Sequence, residues 1–468
     1  MKKVRTRIAP SPTGSPHIGT AYAALFNYCF AKQQNGDFIL RIEDTDRTRF
    51  VEGSEKEIME SLKWLGLNPD ESPQNEGNFG PYRQSERLEI YQEHTKQLIE
   101  SKKAYYCNCS SERLEKLREE QQARKELPRY DRKCRFDPPE NKENAVVRLA
   151  VPDEGVTAIT DKVRGDIEFQ NQGIDDQVLL KSDGFPTYHL ASVVDDHLME
   201  ISHVIRAEEW LSSTPKHVLL YKAFGWEVPE FVHLALLRNP DRSKISKRKN
   251  PVSLTFYREQ GYLPEAFVNF LGLMGWSMPN DQEIFTLSEM IKEFSFERLD
   301  VAGPVFDIEK LRWLNGEYIR ATENENLLIK LQEFSKYSKD KIEKILPLVK
   351  ERMKILTEFD PLVNFFFEEV TIPKSEFLPK GRTEVEIKEI LERVFQDLAK
   401  IDWSEQEIEK MVTLVQEKSA YSRGELFMLL RVVVTGSKTT PPLFITMEAL
   451  TKEVTLKRLK AAFDKLSH

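Results

Sequence analysis

Residues 3–42 place the tightest limit on what this chain can become. Lys3, Arg5 and Arg7 alternate with Val4, Thr6 and Ile8, the period of a short strand. Pro10, Pro12, Gly14 and Pro16 then interrupt any regular element. From Ile18 onward, Ala21, Tyr22, Leu25, Phe26 and Cys29 recur at helical spacing. Asn35-Gly36-Asp37 reads as a turn, and Phe38 to Ile42 as a second strand. Strand, helix, strand in that order is a parallel βαβ unit, and such a unit begins a nucleotide-binding sheet.

The chain has 468 residues, which calls for about three or more domains. Near 83–187 its character changes. That stretch holds Cys107, Cys109 and Cys134, a charged helical run from Glu112 to Lys125, prolines at 138, 139 and 152, and strand-like pieces such as Val146–Leu149. It reads as an insertion, with α/β character resuming at Pro186-Thr187-Tyr188-His189. Helical patterns dominate from about Pro264, and residues 324–468 carry many Lys/Glu helical repeats with few strand signals.

A net charge of −8 argues against a protein that coats nucleic acid indiscriminately. It leaves room for a selective RNA-binding enzyme, because affinity follows local basic patches. No run of about 18 apolar residues occurs, so no membrane span is expected. The N-terminus lacks the apolar stretch of a signal peptide, so a cytoplasmic protein is expected. In that setting Cys29, Cys107, Cys109 and Cys134 read as thiols or metal ligands and not as disulfides.

Two segments have the makings of phosphate sites. In Arg7 to Thr20 a loop opens a helix, whose free N–H groups attract phosphate. Gly19 leaves room against the backbone, and His17 and Thr20 add donors one turn apart. A proline-rich turn capping an ordinary helix fits the same spacing, and no Gly-Lys-Ser/Thr of a Walker loop follows. In Arg242 to Lys249, five of eight residues are basic, after the turn Asn239-Pro240-Asp241. Lysines there suit a phosphate chain whose charge grows in a transition state; a solvated loop or an RNA contact fits equally. Glu43, Asp44 and Asp46, and also Asp195, Asp196 and His197, could pass for metal ligands, against capping and ion pairing at strand ends.

Together the two segments are more specific. Pro16-His17-Ile18-Gly19-Thr20 is similar to the HIGH element, and Lys244-Ile245-Ser246-Lys247-Arg248, about 230 residues later, to the KMSKS element of class I aminoacyl-tRNA synthetases. The stretches Arg7–Gly14, Arg41–Asp46, Gly80–Arg87, Lys181–Ala191, Val204–Trp210 and Leu311–Gly316 resemble the bacterial glutamyl-tRNA synthetases, and Pro441-Pro442-Leu443-Phe444 extends the likeness.

The resemblance implies a multidomain α/β protein. A Rossmann-type catalytic domain would occupy 1–82 and 188–238, interrupted by an acceptor-binding insertion at 83–187. A stem-contact region would follow at 239–323, and all-α anticodon-binding domains at 324–375 and 376–468. It implies ATP-dependent attachment of L-glutamate to tRNA(Glu) by a monomer, with Mg²⁺ arriving on ATP. His17 and Lys247 would be catalytic. His17, Gly19, Thr20, Glu209, Leu237, Lys244 and Lys247 would bind ATP. Arg7, Ala9, Ser11, Glu43, Tyr188, Ser192 and Arg206 would bind glutamate. Both arginines would face its side-chain carboxylate and Glu43 its ammonium. A glutamine amide would turn donors toward donors. Ser192 is a departure, since many members carry asparagine there.

Cys107, Cys109, Tyr130 and Cys134 match the structural zinc site of some members, but Phe136 stands where relatives place His or Asp. Arg352, on what reads as a helix over Lys350–Lys354, matches an arginine that reads the last anticodon base. A glutaminyl enzyme would show a β-barrel in place of the helical C-terminal third. A decayed RNA-binding module would lack the His17, Lys247, Arg7 and Arg206 set. A small-molecule nucleotidyltransferase would not need that last third.

Overall fold

The computed structural model describes residues 2–243, 245, 251–376 and 381–466. Lys244 and Lys247 therefore lie outside the described residues. The chain forms two compact units, one of Met1–Glu259 with Pro264–Leu311 and one of Gln260–Leu263 with Arg312–His468. That division falls inside the 239–323 stretch expected to form a single region.

In the first unit the βαβ start is present. Strand Arg5–Ile8 pairs in parallel with Asp37–Leu40, Arg5 opposite Asp37 and Ile8 opposite Leu40. Helix Ile18–Gln33 connects them and buries Ile18, Leu25 and Phe26 completely, each worth about 1.5–3 kcal/mol of transfer free energy. At the turn before the second strand, a Cβ on Gly36 would lie 2.2 Å from the Val4 carbonyl oxygen, so only glycine fits. The polar residues of the first strand depart from the alternating pattern: all four positions of Arg5–Ile8 are buried. Arg5 is held by Asp37 and Glu71, and Arg7 by Asp196.

A four-stranded sheet has the order Gly165–Gln170, Val156–Asp161, Glu230–Leu234, His203–Ala207. Its last two strands are parallel and are joined by helix Thr214–Phe224. Its first two form an antiparallel hairpin that lies within 83–187, yet Asp161 pairs with Phe231. Sheet pairing thus crosses the boundary expected at residue 187. Ser202 ties this sheet to the first strand, its N–H donating to the Arg5 carbonyl at 3.0 Å. A separate antiparallel sheet of Ala104–Cys107, Val146–Leu149 and Val178–Leu180 carries the start of the cysteine cluster.

The second unit is helical among its described residues. Helices Glu384–Leu398, Glu405–Glu417, Arg423–Thr435 and Lys452–Asp464 bury Ile387, Leu391, Val394, Ile408, Val412, Leu430, Val433 and Leu459 in one core. Thr383 with Glu386, and Ser422 with Glu425, close reciprocal caps on two of them. Arg352 does not sit on an α-helix: Lys339–Val349 ends first, and Lys350–Arg352 is one 3-10 turn. Pro347 inside that helix removes a backbone donor. Met353 then turns extended and is fully buried, which stops the helix and leaves Arg352 exposed.

Candidate functional site

The loop after the first strand, the start of helix Ile18–Gln33 and the ends of strands His203–Ala207 and Glu230–Leu234 enclose a cavity of about 820 Å³. Arg7, Ala9, Ser11, His17, Gly19, Thr20, Glu43, Tyr188, Arg206, Glu209 and Leu237 all line it. Eleven residues scattered over more than half of the first unit's sequence thus converge on one space. Ser192 is the exception among the described candidates for ATP and glutamate. It is buried one turn beyond Tyr188, is not part of the lining, and its hydroxyl has no hydrogen-bond partner among the described residues. Ile245, between the two lysines outside the described residues, also lines the cavity. After the basic segment, the carbonyl of Val252 accepts from Ile18 N at 2.8 Å, and Leu254 N donates to Pro16 at 3.0 Å. The flank that follows that segment is therefore pinned beside the helix start.

His17 caps helix Ile18–Gln33: its Nδ1 accepts from Gly19 N at 2.9 Å. That bond assigns the ring proton to Nε2. A Cβ on Gly19 would come within 3.1 Å of the same Nδ1, crowding the cap.

Beneath the cavity lies a buried ion array. Asp196 accepts from Arg7 at 3.1 and 3.3 Å and from Arg41 at 2.7 Å. Arg41 also donates to Glu43 at 3.2 Å. Asp195 accepts from Arg87 at 2.7 Å, Gln84 at 2.9 Å and Tyr91 at 2.8 Å. Burial alone would raise the Asp196 carboxyl, but the charges of Arg7 and Arg41 outweigh it and hold the group below the usual range. For Glu43 burial wins over Arg41 and Arg7 and pushes the carboxyl up to about 7. Ion pairing, and not metal ligation, accounts for Asp195 and Asp196, while His197 stacks on Trp226 at 3.8 Å.

Arg206 is held differently. Its Nε donates to His233 Nε2 at 3.2 Å, and its other nitrogens to Tyr188 Oη at 3.2 Å, His217 Nδ1 at 3.2 Å and Thr214 Oγ1 at 2.8 Å. Tyr188 in turn packs on Trp210, with ring centroids 4.5 Å apart. Burial, then the positive charge of Arg206, depresses His217 well below the ordinary histidine range. His189, bonded to His217 at 3.0 Å, is pulled down to about 4 by burial, Lys216 and Arg206.

His217, His233, Lys181, Arg49 and Trp210 were not singled out from sequence. Lone histidines carry no local signal, though Lys181 and Trp210 fall in stretches that match the family.

The cysteine cluster forms a second site. The sulfurs of Cys107, Cys109 and Cys134 lie within 4.8 Å of one another. Cys109 and Cys134 are 3.5 Å apart, and Tyr130 Oη is 3.4 Å from both Cys107 and Cys109. A tetrahedral zinc with three thiolates and one oxygen has edges of about 3.8 Å between sulfurs and about 3.5 Å from sulfur to oxygen, so the donor set fits. Phe136 is 73% exposed and has no part in it.

Residues 3–313 match the family model described as tRNA synthetases class I (E and Q), catalytic domain, and residues 326–463 match an anticodon binding domain. A glutamate–tRNA ligase of Pseudomonas putida is 45% identical, the match covering 100% of this chain and 96% of that protein. One of Fusobacterium nucleatum is 47% identical over 98% of this chain and 97% of its own. The crystal structure of a glutamate tRNA ligase from Elizabethkingia meningosepticum in complex with its amino acid superposes with a TM-score of 0.89 at 37% identity, covering 99% of this chain and 100% of that one.

Proposed function

The chain belongs to the class I tRNA synthetases for glutamate and glutamine, as a glutamate–tRNA ligase, and from that premise we propose how its residues divide the work. The observation that carries the proposal is the convergence of Arg206, Glu43, His17 and Thr20 on one cavity. Arg206 takes the side-chain carboxylate of glutamate, and Arg7, Ala9, Ser11 and Tyr188 shape the rest of the pocket. Glu43 takes the ammonium. The α-carboxylate then faces the phosphate region of His17, Gly19 and Thr20, with Glu209 and Leu237 toward ribose and adenine. Lys244 and Lys247 are assigned to the phosphates by motif alone. Ser192 is kept as a neighbour of the pocket and not as a contact.

The chemistry needs no covalent enzyme intermediate. A carboxylate oxygen of glutamate attacks the α-phosphorus, and pyrophosphate departs. The terminal ribose hydroxyl of the tRNA then attacks the activated carbonyl, and AMP departs. The protein supplies orientation and charge stabilisation. Mg²⁺, borne by the ATP phosphates, neutralises part of their charge when present.

We assign residues 83–187 to the acceptor end of tRNA, 239–323 to its stem, and 324–375 with 376–468 to the anticodon. Arg352, exposed on its turn, is the candidate for reading the last anticodon base. We also place the protein in cytoplasmic translation as a monomer. The test is charging of purified tRNA for glutamate and for glutamine with labelled glutamate. The expected result is charging of the glutamate tRNA alone. Charging of both removes the discriminating role of Arg352, and charging of neither removes the functional reading.

Only the ionised form of Glu43 pairs with an ammonium. Since burial raises its carboxyl to about 7, KM for glutamate is expected to fall about tenfold between pH 6 and pH 8 and then level off. In Glu43→Gln the KM is high and the pH slope is lost. A wild-type profile flat across this range contradicts the assignment.

Cys107, Cys109, Cys134 and Tyr130 would hold zinc, whose part is to brace the insertion. Purified protein is expected to carry about one zinc per chain, measured by plasma emission, and Cys134→Ser to carry none and to be cut faster by protease within 83–187. Wild-type protein that neither contains nor takes up zinc contradicts this.

A further inference from the structure

Two arginines face the amino-acid side of the cavity, but their surroundings differ in charge. Arg7 is ion-paired with the Asp196 carboxylate, which it shares with Arg41. Among the described residues Arg206 touches no carboxylate, although it is only 6% exposed. Its acceptors are two imidazole nitrogens, two hydroxyls and, at 3.4 Å, the Trp210 carbonyl.

The imidazoles are aimed by further bonds. Asp161 Oδ2 accepts from His233 Nδ1 at 2.6 Å and from His233 N at 3.0 Å. Asp161 Oδ1 accepts from the backbone of Val163 and Arg164, both at 3.0 Å. The proton on His233 Nδ1 leaves a lone pair on Nε2, the atom that Arg206 Nε meets. On the other side His217 Nδ1 accepts from Arg206, so its Nε2 donates to His189 Nδ1. Asp161 stands at the end of the hairpin strand that joins the sheet at Phe231, which is what brings its carboxylate under His233.

We propose, resting on the functional reading above, that Asp161, His233 and His217 are positioning residues for Arg206, fixing its guanidinium through neutral acceptors so that its full charge remains for the substrate carboxylate. A carboxylate bonded directly to Arg206 would orient it equally well but would compete with glutamate. Placing one imidazole between Asp161 and Arg206 gives the orientation without that competition. The depressed protonation of His217 and His233, which burial causes, agrees with their acceptor role.

The critical variant is Asp161→Asn. One end of the amide then opposes N–H donors, either at Val163 and Arg164 or at His233. In the latter case the His233 tautomer reverses, and Nε2–H meets Arg206 Nε–H. KM for glutamate is expected to rise about tenfold or more while KM for ATP stays within about twofold. His233→Leu should behave in the same way. His233→Gln should restore glutamate KM to within about threefold of wild type, because its amide can accept from Arg206 and donate to Asp161. A purely structural role predicts a different pattern, with lowered melting temperature and lost active fraction but an unchanged KM. The inference is overturned if Asp161→Asn leaves glutamate KM unchanged, if ATP KM rises in parallel, or if His233→Gln is as impaired as His233→Leu. Wild-type protein that charges no glutamate overturns the functional reading instead, and this inference with it.

Discussion

Replacing Arg206 with leucine is expected to lower kcat/KM for glutamate about a thousandfold, since removing one partner of a buried, hydrogen-bonded charge pair costs about 2–5 kcal/mol and each 1.4 kcal/mol is about tenfold. Leucine offers the substrate carboxylate no donor, and it leaves His233 Nε2, His217 Nδ1 and Tyr188 Oη as acceptors facing an anion. Arg206→Lys should recover little, because one ammonium cannot meet His233, His217, Tyr188 and Thr214 together as the forked guanidinium does. KM for ATP should move little in either variant. Steady-state charging at varied glutamate measures this. A loss below about fivefold would mean that Arg7 or another group carries the carboxylate.

The second large effect is on stability. Asp195→Ala should destabilise the first unit by about 3–5 kcal/mol. The Asp195 carboxylate is fully buried and accepts from Arg87, Gln84 and Tyr91, with Arg41 Nε 3.7 Å away. Its removal leaves the Arg87 guanidinium, whose side chain is 2% exposed, without a carboxylate among the described residues, while Arg41 keeps Asp196 and Glu43. Truncating Glu392, whose pair with Lys388 lies on the surface of a helix, should change stability by less than about 0.5 kcal/mol. Urea unfolding of the variants checks both. A loss below about 1 kcal/mol for Asp195→Ala would mean that the Phe79 and Pro81 carbonyls, which Arg87 also meets, or water compensate Arg87.

Asp195 and its neighbour Asp196 also mark the limit of the sequence reading. Beside His197 they have the composition of a metal site, and helix capping and ion pairing at strand ends offered the other account. Their partners Arg7, Arg41 and Arg87 lie 108 to 189 positions away in sequence, so no local pattern could decide between them. The same distance hid the burial of Arg5 and Arg7, whose alternation with Val4, Thr6 and Ile8 resembles that of a strand with one wet face. His233 and His217 were invisible for a related reason, because a single histidine means nothing until its neighbours are known.

Features written in short range fared better. The βαβ start follows from residues 3–42, and the candidate cavity residues other than Leu237 lie in contiguous family motifs. The cysteine cluster follows from Cys107-Asn108-Cys109 and from Tyr130 four positions before Cys134. The helical second unit follows from the Lys/Glu helical repeats of residues 324–468 and their few strand signals. Arg352 fell between these cases: its position was readable, but the helix expected to carry it yields to Pro347 and to the burial of Met353.

The central claim is that one cavity, reading charge through Arg206 and Glu43, commits this chain to glutamate. The most direct test gives wild-type protein ATP, purified glutamate tRNA, and equal concentrations of glutamate and glutamine carrying different labels. The account predicts that glutamate alone becomes esterified to the tRNA, with AMP and pyrophosphate formed in step. Glutamine esterified as readily as glutamate, or glutamyl-tRNA formed without AMP, would contradict it.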